Sequence, residues 1–397
     1  MRLAICTGVF TLAFSLSTPA LAWSAQGTAL VHFQGKQWAL GALPAEFPPL
    51  AVQALELWAP WASEQGFRIE VAADGKALLL VHAKRSATSQ EWTKLQALEA
   101  FASKRLPYTP GPATPAPASA PVAPASDEED LEPWDDDPAE KAKGRPASGP
   151  AEMPKFGLRA AVFIECRDER DLEQLMPYLQ KKNPRLERWI RESAGQLTGF
   201  ALQQPLVAAW LVTGEGLEEY NPLNEFVHRA LELDVLNRFG QQPYWLRHGL
   251  AWVAELELCG SVYCFPYRDE FVGVGEHGGW KPKFQALAEA ASNGFVMANI
   301  AMLRRGTYSD NAAAMAWGTA DFLMAGHGQA LANAMLELDR VWRTEGIETD
   351  PSTGKWHTID GYEVPQERQQ ALLEGQIGKD FLAKLRVSAL SKSKKKR

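Results

Sequence analysis

The sequence predicts an α+β fold: a small N-terminal α+β module, a linker, and a mainly helical second domain with a small sheet at its N-terminal side. Two observations support this prediction. Short apolar segments typical of strands fall before residue 83 and again between residues 158 and 212. From residue 222 onward, apolar residues recur at helical spacing, so the strand segments precede a long helical stretch.

The first 22 residues have the pattern of a cleavable signal peptide. Arg2 supplies a positive charge, residues 3–15 form an uncharged apolar run, and Ala-Leu-Ala at 20–22 is the small-x-small site after which a signal peptidase cuts. The apolar run is too short to cross a bilayer comfortably as an anchor. We therefore expect export to the periplasm or the extracellular space, with cleavage after Ala22.

Residues 23–108 are predicted to form the small α+β module. Asp74-Gly75 lies between two alternating apolar segments, which indicates a hairpin. Strands are predicted at 28–33, 37–40, 68–71 and 77–82, and amphipathic helices at 49–65 and 89–104.

Residues 109–153 are predicted to be a disordered linker. A tract rich in proline and alanine is followed by an acidic block around Trp134, and neither composition can bury a core. A basic tail at 391–397 is predicted to be a frayed end.

Residues 154–390 form the predicted larger domain. Its sheet is expected from segments 158–164, 198–202 and 206–212. The predicted helices cover 168–181, 184–192, 222–239, 244–258, 283–292, 312–324 and 329–342, with weaker segments near 365–373 and 378–388.

The charge balance argues against general nucleic-acid binding. The chain has 41 Lys and Arg against 48 Asp and Glu, a net charge of −7, and loss of Arg2 with the signal peptide makes it slightly more negative. No apolar run after the signal peptide approaches membrane-spanning length, so we expect no membrane span.

Three cysteines follow the signal peptide. An oxidising compartment would permit a bridge between Cys259 and Cys264 across a four-residue turn, and the sequence leaves this bridge undecided. Cys166 ends an apolar run, which predicts a buried strand thiol.

One segment carries the signature of a metal site. On the predicted helix 222–239, Asn224 and His228 lie one turn apart and Glu225 projects beside them. In zinc hydrolases with a His-Glu-x-x-His motif, two such positions hold the metal and the glutamate activates its water. In this chain Asn224 stands at the first ligand position.

The segment resembles the gluzincin-type, peptidase-MA-like domains, in particular a bacterial domain-of-unknown-function branch of that superfamily. Pro243, Trp245-Leu246 and Gly249-Leu250-Ala251 match its proline and Trp-Leu-x-Glu-Gly-Leu-Ala stretch, where the glutamate is the third zinc ligand. His248 replaces that glutamate. The resemblance covers roughly residues 158–340 and places the substrate-edge strands near 199–211.

The resemblance implies three ligand arrangements, which the sequence leaves open. Zinc could be held by Asn224, His228 and His248, with Glu225 as general base, although an amide oxygen is a weak donor. Glu225 could instead join the two histidines as a ligand, which would leave the water without a base. In the third alternative no metal is bound, and Glu225 and His228 form a buried or partly exposed polar pair in a domain that has lost its metal.

The favoured hypothesis is an exported, metallopeptidase-like protein with impaired catalysis that acts by binding a peptide or protein in its cleft. One alternative is an active zinc-dependent peptidase with the variant ligands Asn224, His228 and His248. The other is a structural protein that bridges partners through its two modules.

Overall fold

The computed structural model describes residues 30–85, 88–108, 157–193, 196–213, 220–265, 278–304, 309–349, 356–359 and 361–391. The predicted signal peptide and linker lie outside these residues, as does the basic tail from residue 392.

Seven strands form one mixed sheet, in the order β2-β1-β3-β4-β5-β7-β6. Its strands are β1 (Leu30–Phe33), β2 (Lys36–Ala39), β3 (Phe67–Val71), β4 (Ala77–His82), β5 (Ala161–Cys166), β6 (Gly199–Leu202) and β7 (Val207–Leu211). A separate hairpin pairs β8 (Ile347–Thr349) with β9 (Trp356–Thr358).

The strands from the two predicted domains belong to the same sheet. β4 and β5 pair in parallel, with Leu78 opposite Val162 and Leu80 opposite Ile164. The middle of β4 is a continuous buried apolar run, which is typical of a strand covered on both faces. The segment 30–82 therefore adds four strands to the sheet on which the candidate site is built.

The described residues form twelve α-helices, and the mixed architecture confirms the predicted α+β class. The helices are α1 (Pro49–Glu64), α2 (Ser89–Arg105), α3 (Glu169–Lys182), α4 (Glu187–Ser193), α5 (Pro222–Phe239), α6 (Tyr244–Cys259), α7 (Trp280–Ala290), α8 (Met297–Ile300), α9 (Asp310–Gly326), α10 (Gly328–Glu345), α11 (Gln366–Ile377) and α12 (Phe381–Ser391).

Successive strand residues face two different cores. Leu80 and Ile164 pack in one core with apolar residues of α1 and α3. Leu79 and Phe163 pack on the other face, in a larger core that includes α2, α5, α6 and α9. This alternation is the two-residue period of a strand. On the face of the larger core, α5 packs directly against β6 and β7.

Helix α5 has the predicted bounds because its start is strongly encoded. Asn221 caps it by accepting a hydrogen bond from the N–H of Leu223 at 3.0 Å, and Pro222 occupies the first turn, where its missing N–H has no cost. Other bounds differ from prediction. α7 begins three residues before the predicted 283, and α8 and the β8–β9 hairpin were not predicted.

The structure has Cys259 and Cys264 as free thiols, so the bridge that the sequence permitted is not formed. The two side chains lie in different surroundings. Cys264 is fully buried and its thiol interacts with Glu225, whereas Cys259 lies half-buried at the end of α6. Cys166 is a buried strand thiol, as predicted.

No helix within the described segments is long and apolar enough to span a membrane.

Candidate functional site

A cavity of about 380 Å³ lies beside β6, at the end of the sheet. The residues of β6 form one wall, and side chains of α5 and α6 form the floor. Residues near α4, together with Thr358, Ile359, Gly361 and Tyr362, complete the lining.

Four polar side chains of α5 follow one another at helical spacing toward this region. Glu225, His228, Arg229 and Glu232 are all at least 97% buried. Because residues three and four apart share a helix face, the spacing directs this buried polar stripe toward α6 and the cavity.

The two predicted histidine ligands meet between α5 and α6. His228 Nε2 lies 3.0 Å from His248 Nδ1, and the two rings stack with their centroids 5.3 Å apart. Burial lowers the pKa of both histidines well below the ordinary value. Both rings are therefore neutral at neutral pH, and a single hydrogen bond joins them.

The other ring nitrogen of His228 faces Glu255 of α6, with Nδ1 3.2 Å from Oε2. Burial raises the pKa of Glu255 to about 8, so this carboxyl is mainly protonated at pH 7. Its Oε2–H then donates to His228 Nδ1, and His228 Nε2–H donates to His248. Glu255 Oε1 accepts from the backbone N–H groups of Tyr263 and Cys264.

Asn224 belongs to the Glu255 side of His228. Its Nδ2 donates to Glu255 Oε1 at 3.0 Å and to the carbonyl of Ser261 at 2.6 Å. His248 lies on the opposite side, at Nε2 of His228. The structure therefore brings His228 and His248 together but turns the amide of Asn224 away from them.

Glu225, the predicted general base, is bound to Arg229 one turn along α5. Arg229 Nε donates to its Oε1 at 2.9 Å, and the buried Cys264 thiol also interacts with this carboxyl group. This carboxylate therefore serves as a partner of Arg229 rather than standing beside the pair of histidines.

Glu232 is a site residue that lies outside the predicted motif. Its Oε2 accepts from Arg229 Nη1 at 2.6 Å, and its Oε1 lies 2.9 Å from Arg247 Nε. Burial opposes its ionisation, but the charges of Arg229 and Arg247 outweigh burial and lower its pKa. Its spacing of four residues from His228 was a signal that could have found it.

Two groups of side chains could in principle hold a metal ion. His228, Glu232 and His248 offer ligand atoms within 4.8 Å of one another, and so do His228, Glu255 and Cys264. Histidine, carboxylate and thiolate are all ligands that zinc accepts.

Neither group is prepared to receive a cation. In the first, both oxygens of Glu232 already face guanidinium groups. In the second, burial raises the pKa of Glu255 and of the Cys264 thiol, so both would have to lose a proton on metal binding. The donor types fit zinc, but their pairing and protonation oppose it, and we derive no chemical step through a metal.

Comparison with protein-family models, with curated proteins and with solved structures found no match to this chain. The gluzincin resemblance accordingly stays a prediction from the motif residues between 224 and 251.

Proposed function

We propose that this protein is an exported, metallopeptidase-like protein that binds an extended peptide in the cavity beside β6 without cleaving it. The observation that carries the proposal is the pairing of Glu232 with Arg229 and Arg247 beside the two histidines. The guanidinium groups of Arg229 and Arg247 lie on the carboxylate oxygens of Glu232 that a catalytic metal ion would need as ligands. Glu225 is bound to Arg229, so its carboxylate is not placed to activate a metal-bound water.

The wall of the cavity supports peptide binding. β6 pairs with β7 on one side and is the last strand in the sheet order, and all four of its residues line the cavity. An extended peptide can pair its main chain with such an edge strand. The resemblance places the substrate strand of the gluzincin-type domains in the same part of the chain.

The lining offers surfaces for peptide side chains as well. Phe200, Trp189 and Tyr244 contribute aromatic rings to the lining, and Leu202 contributes an aliphatic side chain. The volume of about 380 Å³ lies within the range of pockets that hold small ligands, so a short segment of a peptide would fit. Export rests on the signal-peptide pattern of residues 1–22.

A second candidate function is an active zinc peptidase. It is favoured by the convergence of His228, Glu232 and His248 within 4.8 Å. This function would require zinc to displace two arginines from Glu232. It would also require a general base other than the Arg229-bound Glu225.

A peptide-retention experiment tests the proposal. The chain from Trp23 onward is incubated with a synthetic library of random octapeptides, in zinc or in EDTA, and retained and cleaved peptides are measured by mass spectrometry. We expect retention of intact peptides in both buffers. Cleavage that needs zinc and is lost in Glu225→Gln would establish the peptidase, and failure to retain any peptide would exclude the binding function.

A matched pair of variants localises the binding. Ala201→Trp places a large ring in the wall of the cavity, whereas Ala286→Trp places one on the exposed face of α7, away from it. Retention should fall by about tenfold or more in Ala201→Trp and stay unchanged in Ala286→Trp. Equal retention by both variants would place the peptide elsewhere on the protein.

A further inference from the structure

The charged side chains that line the cavity are mostly positive. Among its described lining residues are Arg185, Arg229 and Arg247 against one carboxylate, Glu232. Glu225 lies behind the lining and is bound to Arg229, so three arginines face two glutamates and one positive charge is left in excess, which favours an anionic group.

Arg229 has a buried donor with no acceptor. Its Nε and Nη1 bind Glu225 and Glu232, but Nη2 has no hydrogen-bond partner among the described residues although the side chain is only 4% exposed. Buried N–H groups are nearly always hydrogen-bonded, because an unpaired one loses its water without compensation. Arg229 lines the cavity, and a small displacement of the side chains over Nη2 would bring an acceptor in the cavity within reach of this donor.

A glycine allows β6 to pack closely against the ion pair of Arg229 and Glu225. A Cβ at Gly199 would lie 3.2 Å from Arg229 Nε and 2.7 Å from Glu225 Oε1. Any other residue at this position of β6 would place its side chain against this ion pair. The glycine therefore lets the edge strand pack directly against the ion pair, with no room for a side chain between them.

Arg247 is held at the rim of the same floor. Its Nε lies 2.9 Å from Glu232, its guanidinium carbon lies 5.8 Å from the ring centre of Tyr244, and its side chain is 21% exposed. Arg229 and Arg247 thus lie on the two oxygens of one carboxylate, with the cavity beside both. Two guanidinium groups in fixed positions are well suited to a second carboxylate, because each presents several N–H donors in one plane.

We infer that Arg229 and Arg247 form a subsite for a carboxylate group of the bound peptide. The inference rests on the proposed peptide-binding function and names the chemical group that the ligand presents at the floor of the cavity. A carboxylate there gives Arg229 Nη2 its missing acceptor and balances the positive lining. It can come from the C-terminus of the peptide or from an aspartate or glutamate side chain.

Three octapeptide libraries distinguish these sources. The first has a free C-terminal carboxylate and no acidic side chains, the second has an amidated C-terminus with Asp and Glu, and the third is amidated without acidic residues. We expect one of the first two libraries to be retained on the order of tenfold more than the third. The better retained one identifies the source of the carboxylate.

Variants assign the preference to the subsite. Arg247→Gln should abolish the preference for a carboxylate, whereas Arg170→Gln, on the exposed surface of α3, should preserve it. Thermal unfolding of both variants checks that they are folded. Equal retention of the three libraries, or a preference that survives in Arg247→Gln, would overturn the subsite but leave peptide binding intact. Loss of retention for all libraries in the wild type would instead reject the proposed function itself.

Discussion

The two sides of His228 differ in how completely their polar groups are satisfied. On the Nδ1 side, Glu255 binds His228, the side chain of Asn224 and two backbone N–H groups, and Glu255 itself does not line the cavity. On the Nε2 side, the polar stripe adjoins the cavity, and Arg229 Nη2 lacks a hydrogen-bond partner in the described part of the chain. We therefore expect the first side to stabilise the fold, and the second side is where the proposed peptide would bind.

The largest effect is expected at Glu255. Glu255→Leu removes the acceptor of three N–H donors and should lower the free energy of unfolding by about 3 kcal/mol or more. Glu255→Gln keeps an acceptor for them and an N–H for His228, so at pH 5 it should change stability by less than about 1 kcal/mol. Urea denaturation at pH 5 measures the free energy of unfolding of the two variants. Equal losses of stability in both variants would show that the hydrogen bonds accepted by Glu255 do not stabilise the fold.

The protonation of Glu255 gives a pH-dependent test. Its pKa is raised from 4.5 to about 8 in the folded state, so between these values the folded protein binds more protons than the unfolded chain. Its contribution to stability is therefore fully present below pH 4.5 and is lost as the pH rises toward 8. Wild type should lose stability relative to Glu255→Gln by on the order of 1 kcal/mol per pH unit in this window.

The buried histidines act with the opposite sign. Their lowered pKa values mean that their contribution is present above the ordinary pKa and is lost as the pH falls below it. Both proteins carry the histidines, so this effect cancels in the difference between wild type and Glu255→Gln. A difference that stays constant from pH 4.5 to 8 would mean that Glu255 is ionised in the folded state.

Two glycine substitutions compare the tight packing behind the cavity with an open helix surface. A Cβ at Gly199 would lie 2.6 Å from the carbonyl oxygen of Ala209, so Gly199→Ala should destabilise the protein by about 1–3 kcal/mol. Gly375 lies in α11 with nothing within 4 Å of such a Cβ, so Gly375→Ala should stabilise by about 0.5–1 kcal/mol. Effects of the same sign in thermal unfolding would contradict the packing described at β6.

Much of the local structure could be predicted from the sequence, and much of the long-range structure could not. The cap at Asn221 and the helical spacing that follows give α5 its bounds. The resemblance indicated that His228 and His248 would meet. The joining of β4 to β5 links segments on either side of the predicted linker, so no local pattern encodes it, although the continuous apolar run of β4 is typical of a central strand.

The chemistry of the candidate site depended on how α6 lies against α5. A spacing of four residues relates Glu225 to Arg229 and His228 to Glu232, so the sequence contained these neighbours. The approach of Arg247 to Glu232, and of Glu255 to Asn224, follows from helix packing, which sequence spacing does not specify. The contact of Arg247 with Glu232 was therefore visible only in the folded chain.

A zinc titration tests the central claim most directly, because the claim is that arginines have replaced the metal at this site. The metal-free chain from Trp23 onward is titrated with zinc, with His248→Gln as the matched variant, and thermal unfolding is recorded with and without the metal. We expect wild type to bind zinc no more tightly than His248→Gln and its melting temperature to stay unchanged when zinc is added. Tight zinc binding that stabilises wild type and is lost in His248→Gln would show instead that the site is a metal centre.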